Sequence, residues 1–252
     1  MTDLRSRIRA GETLIGTFSD LDSPLAVELT GNAGFDWTVL DLEHGAATEA
    51  SLLGLLYAAA STPMTPLVRA PSAERLRIGR ALDLGAAGIM LPQLQSAAEV
   101  REAVRYLRYP PVGQRGVALR TRGASMGALG HADVARVVNE RVVGIVQIEA
   151  PGTVADADEI ASLEEVDVLF VGPADLSHGL GVPGQFDDAG YLAALEAVVA
   201  ACGRHGKAPG ILIYDAAALP RHLELGFRFI GLGSEGSYVS AGARAMLAAA
   251  GR

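Results

Sequence analysis

Five segments of the chain place a reactive side chain directly after a short apolar run. They are Asp41-Leu42-Glu43-His44-Gly45, Val68-Arg69-Ala70-Pro71, Leu91-Pro92-Gln93, Gln147-Ile148-Glu149 and Val171-Gly172-Pro173-Ala174-Asp175-Leu176-Ser177. Glu149 and Asp175 form the sharpest pair. On neighbouring parallel strands their carboxylates would lie about one strand spacing (~5 Å) apart. Two carboxylates that close repel unless a cation joins them. Two protein oxygens, waters and a bidentate substrate together describe a hard octahedral ion such as Mg²⁺ or Mn²⁺. The plainer alternative makes Glu149 a helix cap and Asp175 an ordinary first-turn acid.

The residues around that pair add complementary chemistry. Pro173 fixes φ where a helix or turn begins, so the amides of Ala174 and Asp175 point outward as a cradle for a carboxylate or oxyanion. Arg69 supplies a permanent positive charge suited to a developing enolate oxygen, or else an ion pair to Asp41 or Glu43. His44 is the only histidine at a strand end beside carboxylates and suits acid–base work near neutrality. His131, His178, His205 and His222 fall in loops or on helices and read as surface residues. The single lysine, Lys207, precedes a strand at the other end, so Schiff-base chemistry is excluded by topology.

These residues need a scaffold that gathers strand ends. The β-branched runs predict strands at Leu14–Phe18, Trp37–Leu42, Pro66–Arg69, Gly88–Leu91, Val142–Ile148, Val166–Val171, Gly210–Ile213 and Phe229–Leu232. Several are continuously apolar, as parallel strands covered on both faces require. Helical patterns alternate with them. Ser23-Pro24 opens one that ends at Gly31, and Thr48 opens another that is stopped by Pro63. Others centre on Leu76–Leu82, Ala97–Tyr106, Val154–Leu163, Tyr191–Cys202, Ala216–Leu225 and Val239–Ala250. Eight strand–helix units in 252 residues match the length of a single (β/α)8 TIM barrel over residues 1–252. In that fold every strand's carboxyl end faces the active site. A doubly wound sheet loses ground because no Gly-x-Gly-x-x-Gly follows the first strand. Tyr109–Gly130 is the irregular stretch, rich in Pro and Gly and carrying Arg115, Arg120 and Arg122. A loop that long in a compact domain is usually functional or part of an interface.

Composition narrows the class. A net charge of −8 argues against nucleic acid and anionic membranes as partners. Half the residues are hydrophobic and a fifth are charged, enough for a large core. No apolar run approaches the ~18–20 residues of a membrane span. The charged stretch Met1–Glu12 carries no signal-peptide core. One cysteine, Cys202, fits a reducing compartment. The expectation is a soluble, cytoplasmic globular protein.

At these residues the chain resembles the metal-dependent (class II) pyruvate aldolases of the HpcH/HpaI family. The likeness runs from Gly16 to about Ala245. It rests on Gly34-Phe35-Asp36-Trp37, Asp41-Leu42-Glu43-His44, Val68-Arg69, the run from Arg108 to Gly116, Gln147-Ile148-Glu149, the run from Val171 to Ser177, and Gly206-Lys207-Ala208-Pro209-Gly210. The resemblance implies reversible cleavage of 4-hydroxy-2-oxo acids to pyruvate and an aldehyde, with Mg²⁺, Mn²⁺ or Co²⁺ bound by Glu149 and Asp175. It implies substrate contacts from Gln147, Gly172, Pro173, Ala174, Asp175 and Leu212, His44 as acid/base and Arg69 stabilising the transition state. It further implies Asp83 as a partner of His44, and a homo-hexamer whose last helix, Val239–Ala250, packs on a neighbouring subunit. Asp83 sits awkwardly, since its place near the end of a helix puts it at the barrel's far end unless the contact crosses a subunit boundary. Leu42 departs from the family, standing where many relatives carry glycine. Two alternatives stay open: a citrate-lyase β-type Mg²⁺-dependent lyase, which would need a coenzyme A site, and a non-catalytic oxo-acid-binding barrel.

Overall fold

The computed structural model describes residues 3–252. Eight parallel strands close into a barrel in chain order: β1 Leu14–Ser19, β2 Trp37–Asp41, β3 Thr65–Arg69, β4 Gly88–Leu91, β5 Val143–Ile148, β6 Val168–Val171, β7 Ala208–Ile213 and β8 Phe229–Ser234. Around them run α1 Leu4–Arg9, α2 Pro24–Ala33, α3 Leu52–Ala60, α4 Arg75–Leu84, α5 Ala97–Val104 and α6 His131–Arg141. The remainder are α7 Pro151–Ala155, α8 Ala157–Ser162, α9 Pro173–Gly179, α10 Ala189–His205, α11 Leu219–Leu225 and α12 Glu235–Ala249. This is the (β/α)8 barrel the sequence predicts. Among the described residues, no helix is long and apolar enough to cross a membrane.

Two apolar layers hold the barrel. Inside, Phe18, Trp37, Leu67, Met90, Ile145, Phe170 and Phe229 are all buried. The Trp37 and Phe229 rings stack at 4.2 Å, and Phe170 stands edge-on to both. Gly16 makes that stack possible, because a Cβ there would lie 2.0 Å from the Trp37 indole. Outside, helix side chains such as Leu55, Ile78, Val100 and Val198 pack on the outward residues of the strands. Leu4 and Ile8, one helical turn apart on α1, join the inner cluster and plug the barrel's amino end.

Helix boundaries shift from the expectation at identifiable points. The first long helix runs past Gly31 to a left-handed cap at Gly34 (φ 105°). Gly31 is a packing glycine instead, since a Cβ there would lie 2.4 Å from the Thr62 hydroxyl. Thr48 and Ser51 hydrogen-bond each other in a turn, and the regular helix starts only at Leu52. The stretch expected as one helix over Val154–Leu163 is broken at Asp156 into α7 and α8. Helices α1 and α6 lie outside the helical segments that the apolar pattern predicts.

Helix α12 is long and yet almost wholly uncovered. Of its residues only Glu235 is buried, while Val239, Met246 and Leu247 stand exposed.

Candidate active site

The register of β2 and β3 pairs Asp41 with Arg69, so both side chains leave the sheet at the same height. Arg69 donates from Nε to Asp41 Oδ1 at 2.9 Å and from Nη2 to Oδ2 at 2.5 Å. Its third nitrogen, Nη1, lies 3.2 Å from Glu43 Oε2. The guanidinium is thus held rigid by two carboxylates. Burial would lift the Asp41 carboxyl, but Arg69 overrides it and holds the group below the usual carboxylate range. Asp41 Oδ1 also accepts the amides of Glu43 and His44, which shapes the loop carrying the histidine. The His44 ring is exposed, with Nε2 3.9 Å from Glu43 Oε1.

Glu149 follows β5 and is almost fully buried. Its Oε1 accepts the Gln93 backbone amide at 2.6 Å and its Oε2 the Gln147 side-chain amide at 3.0 Å. Gln93 reaches it from a left-handed backbone (φ 59°), a conformation uncommon for a residue with a side chain. Gly172 lies against the same carboxylate, where a Cβ would come within 2.8 Å of Oε2. Burial pushes the Glu149 carboxyl up to about 7; the Gln93 amide opposes this, while Asp175 and Glu43 raise it further. Burial also raises Glu43. The site therefore holds more carboxylate than its arginine neutralises.

Past β6, Gly172 caps α9 and Pro173 occupies its first position. Leu176 donates the first backbone bond, to Gly172 O, so the amides of Ala174 and Asp175 precede the helical ladder. A cavity of about 540 Å³ at the carboxyl end of the barrel is lined by Asp41, His44, Arg69, Gln147, Gly172, Pro173, Ala174, Asp175 and Leu212, among others. Phe18 and Phe170 form its floor, and the Arg69 guanidinium carbon lies 5.3 Å from the Phe18 ring centroid. Glu149 sits just behind this wall, beneath Gln147 and Gly172. Asp175 is exposed at the surface of the cavity.

Asp83 is not brought to His44 within one chain. It sits at the C-terminal end of α4 and accepts from Arg115 Nη2 at 2.7 Å, while the Arg115 guanidinium stacks 4.4 Å above Tyr109. Lys207 donates to the Leu163 and Val166 carbonyls at the barrel's amino end, away from the cavity. Glu43, which the sequence offers only as a possible partner of Arg69, also approaches His44. The signal was its i, i+2 spacing from Asp41, which puts both on one face of an extended chain. Among the described residues, no group of three or more His, Cys, Asp or Glu is gathered around one point. Glu149 and Asp175 both present carboxylate oxygens at this end of the barrel, and each adds to the negative charge around the other.

The family model of the HpcH/HpaI aldolase/citrate lyase matches residues 14–241. This chain belongs to the HpcH/HpaI aldolase/citrate lyase family. A hydroxypyruvate/pyruvate aldolase of Paraburkholderia phytofirmans is 38% identical over 238 residues, covering 92% of this chain and 91% of its own. A 4-hydroxy-2-oxo-heptane-1,7-dioate aldolase of Escherichia coli is 36% identical over 244 residues, covering 97% and 93%. The crystal structure of a family member from Burkholderia cenocepacia superposes with a TM-score of 0.93 at 35% identity, covering 99% of each chain. As a member of the HpcH/HpaI family, the protein is an enzyme, a lyase of the aldolase type.

Proposed function

We propose that this enzyme cleaves 4-hydroxy-2-oxo acids reversibly into pyruvate, or a close analogue such as hydroxypyruvate, and an aldehyde. The observation that carries the reading is the convergence of Asp41, His44, Arg69, Gln147 and the Gly172–Asp175 turn on one cavity that no lysine reaches. Glu149 and Asp175 would hold a divalent cation, Mg²⁺, Mn²⁺ or Co²⁺. Their surroundings fit one: each Glu149 oxygen accepts a single hydrogen bond and keeps a lone pair, and the local charge is negative. Two carboxylates leave the remaining coordination positions to water and substrate. When bound, the ion supplies positive charge at the keto oxygen, where negative charge develops.

The chain's own groups do the rest. The amides of Ala174 and Asp175 bind the substrate carboxylate at the start of α9, with Gly172 and Pro173 setting the turn. Gln147 donates toward the same end of the cavity. Arg69, immobilised by Asp41 and Glu43, offers preorganised charge to the developing enolate oxygen. His44 takes the proton of the 4-hydroxyl in cleavage and returns it in synthesis. Phe18, Phe170 and Leu212 exclude water from the cleavage site. The exposed Val239, Met246 and Leu247 of α12 support a homo-oligomer in which that helix packs on a neighbouring subunit. The same assembly would allow Asp83 to approach a neighbour's His44. The fold and composition suit a cytoplasmic, single-domain enzyme.

The test is pyruvate release from a 4-hydroxy-2-oxo acid with and without chelator. Activity should vanish in excess EDTA and return with Mn²⁺, Co²⁺ or Mg²⁺, and borohydride with pyruvate should leave the protein unmodified. Full activity in EDTA, or a pyruvyl adduct on Lys207, would overturn the reading.

A further inference from the structure

The cavity is larger than the proposed chemistry requires. Its volume of about 540 Å³ falls within the range of sites for drug-sized molecules, far beyond a three-carbon oxo acid. The surplus lies to one side. From the barrel mouth the cavity passes the end of β7 and continues between α10 and α11, along Tyr191, Leu192 and Leu195 on one wall and Ala218 and Leu225 on the other.

The cause is local. Helix α11 has seven residues, none of them buried, so it does not fill the space beside α10. Leu192, Leu195, Ala218 and Leu225 give that space an apolar surface, with Arg221 and His222 beside it, and an apolar guest gains by covering it. Phe186 stands half-exposed where the arm begins, its ring 5.5 Å from that of Tyr191.

The charges along the cavity select further. Asp20, Asp41, Asp175, Asp187 and Asp215 line it, against Arg69 and Arg221. Arg69 is committed to Asp41 and Glu43, and Arg221 Nη1 donates to Asp187 Oδ1 at 2.6 Å across the rim. His222 engages the Ala218 carbonyl through Nδ1 at 2.8 Å. Among the described residues lining the cavity, both guanidiniums are thus already paired with carboxylates.

We infer that the acceptor aldehydes of this enzyme are neutral and carry an apolar tail, which lies in the arm between α10 and α11. The inference rests on the aldolase reading and names the substrate class of that same site. In the synthetic direction pyruvate C3 loses a proton and bonds to the aldehyde carbon, and the aldehyde oxygen gains a proton; the tail contributes binding alone.

The experiment is kcat/KM for addition of pyruvate to propanal, pentanal, heptanal and succinic semialdehyde, with Mn²⁺ present. For wild type, kcat/KM should rise about fourfold per added methylene while the tail is being buried. Succinic semialdehyde should fall below pentanal by tenfold or more. Ala218→Phe and Leu192→Phe, both at half-buried positions, fill the arm. Each should cut the heptanal-to-propanal ratio at least tenfold, with circular dichroism melts reporting that the variants fold. A wild-type profile flat in chain length, a preference for the semialdehyde, or an unchanged ratio in both folded variants would overturn the inference. No pyruvate-dependent product with any aldehyde would instead overturn the aldolase reading itself.

Discussion

The two ends of the barrel both bury charge, and they bury it differently. At the amino end Asp167 is surrounded. Arg5 donates from Nε to both of its oxygens at 2.8 and 3.0 Å, and the Gly144 amide adds a bond at 3.0 Å. Arg9 and Arg108 stand 3.7 Å away. Cations are in excess there: burial, with Arg5 adding to it, lowers Arg108 to about 10, and burial lowers Lys207. At the carboxyl end the excess is of carboxylates, with Glu149 pushed up to about 7. A saturated carboxylate locks a structure, whereas an undersaturated one can bind a cation. The amino end therefore reads as a staple between α1 and the barrel, and the carboxyl end as the site.

The largest expected effect breaks the carboxyl end. Glu149→Gln should lower the rate of pyruvate methyl deuteration, followed by NMR with Mg²⁺ present, by three orders of magnitude or more, since a Lewis acid is worth several kcal/mol. The fold should survive, because the change relieves like-charge repulsion.

Next comes the amino end. Asp167→Ala strands Arg5 and should cost about 3–5 kcal/mol in urea unfolding, the usual scale for removing one partner of a buried pair. Deuteration by the folded variant should stay within about twofold of wild type. A large catalytic defect with unchanged stability would reverse the assignment of the two ends.

Within the site, Arg69→Ala should slow deuteration by about 10²–10³, the loss seen when an oxyanion donor is removed. His44→Ala should lower retro-aldol turnover by about 10²–10⁴. Deuteration at the rate of wild type in Arg69→Ala would make the arginine a purely structural partner of Asp41.

How much of this is legible in the sequence differs along the same line. All eight strands are readable because each is a short run of apolar, mostly branched residues. The strand-end residues of the cavity follow from that register. Helix α1 is not readable, since Leu4 and Ile8 are its only large apolar residues among charges, and their burial depends on the barrel's open end. Helix α6 is hidden behind the irregular run before it, with Val134 and Val138 as its only buried positions. The Asp167 staple joins residues 162 positions apart, and spacing alone cannot predict such a pair. The arm between α10 and α11 exists because α11 is short, a boundary the apolar pattern over Ala216–Leu225 does not resolve.

A smaller effect belongs to Glu235, at the start of α12. Burial pushes its carboxyl up to about 7, against a hydrogen bond from Ser19 Oγ at 3.0 Å. The folded state thus holds this proton more tightly than the unfolded chain. The stabilisation is fully present below the ordinary glutamate pKa and is lost as pH rises toward 7. A shift of that size corresponds to about 3 kcal/mol, reduced to about 1–2 kcal/mol by partial hydration. Urea unfolding at pH 5 and pH 8 should show the loss in wild type and a flatter dependence in Glu235→Gln. An identical slope in both would assign the pH dependence to other groups.

The central claim, that undersaturated carboxylates at one end of the barrel bind a divalent cation and the saturated one at the other does not, is tested most directly by titration calorimetry of metal-free protein with Mn²⁺. Wild type and Asp167→Asn should each bind one ion per chain with similar affinity. Glu149→Gln and Asp175→Asn should each lose that binding. Wild-type affinity in either of the last two variants would contradict the account.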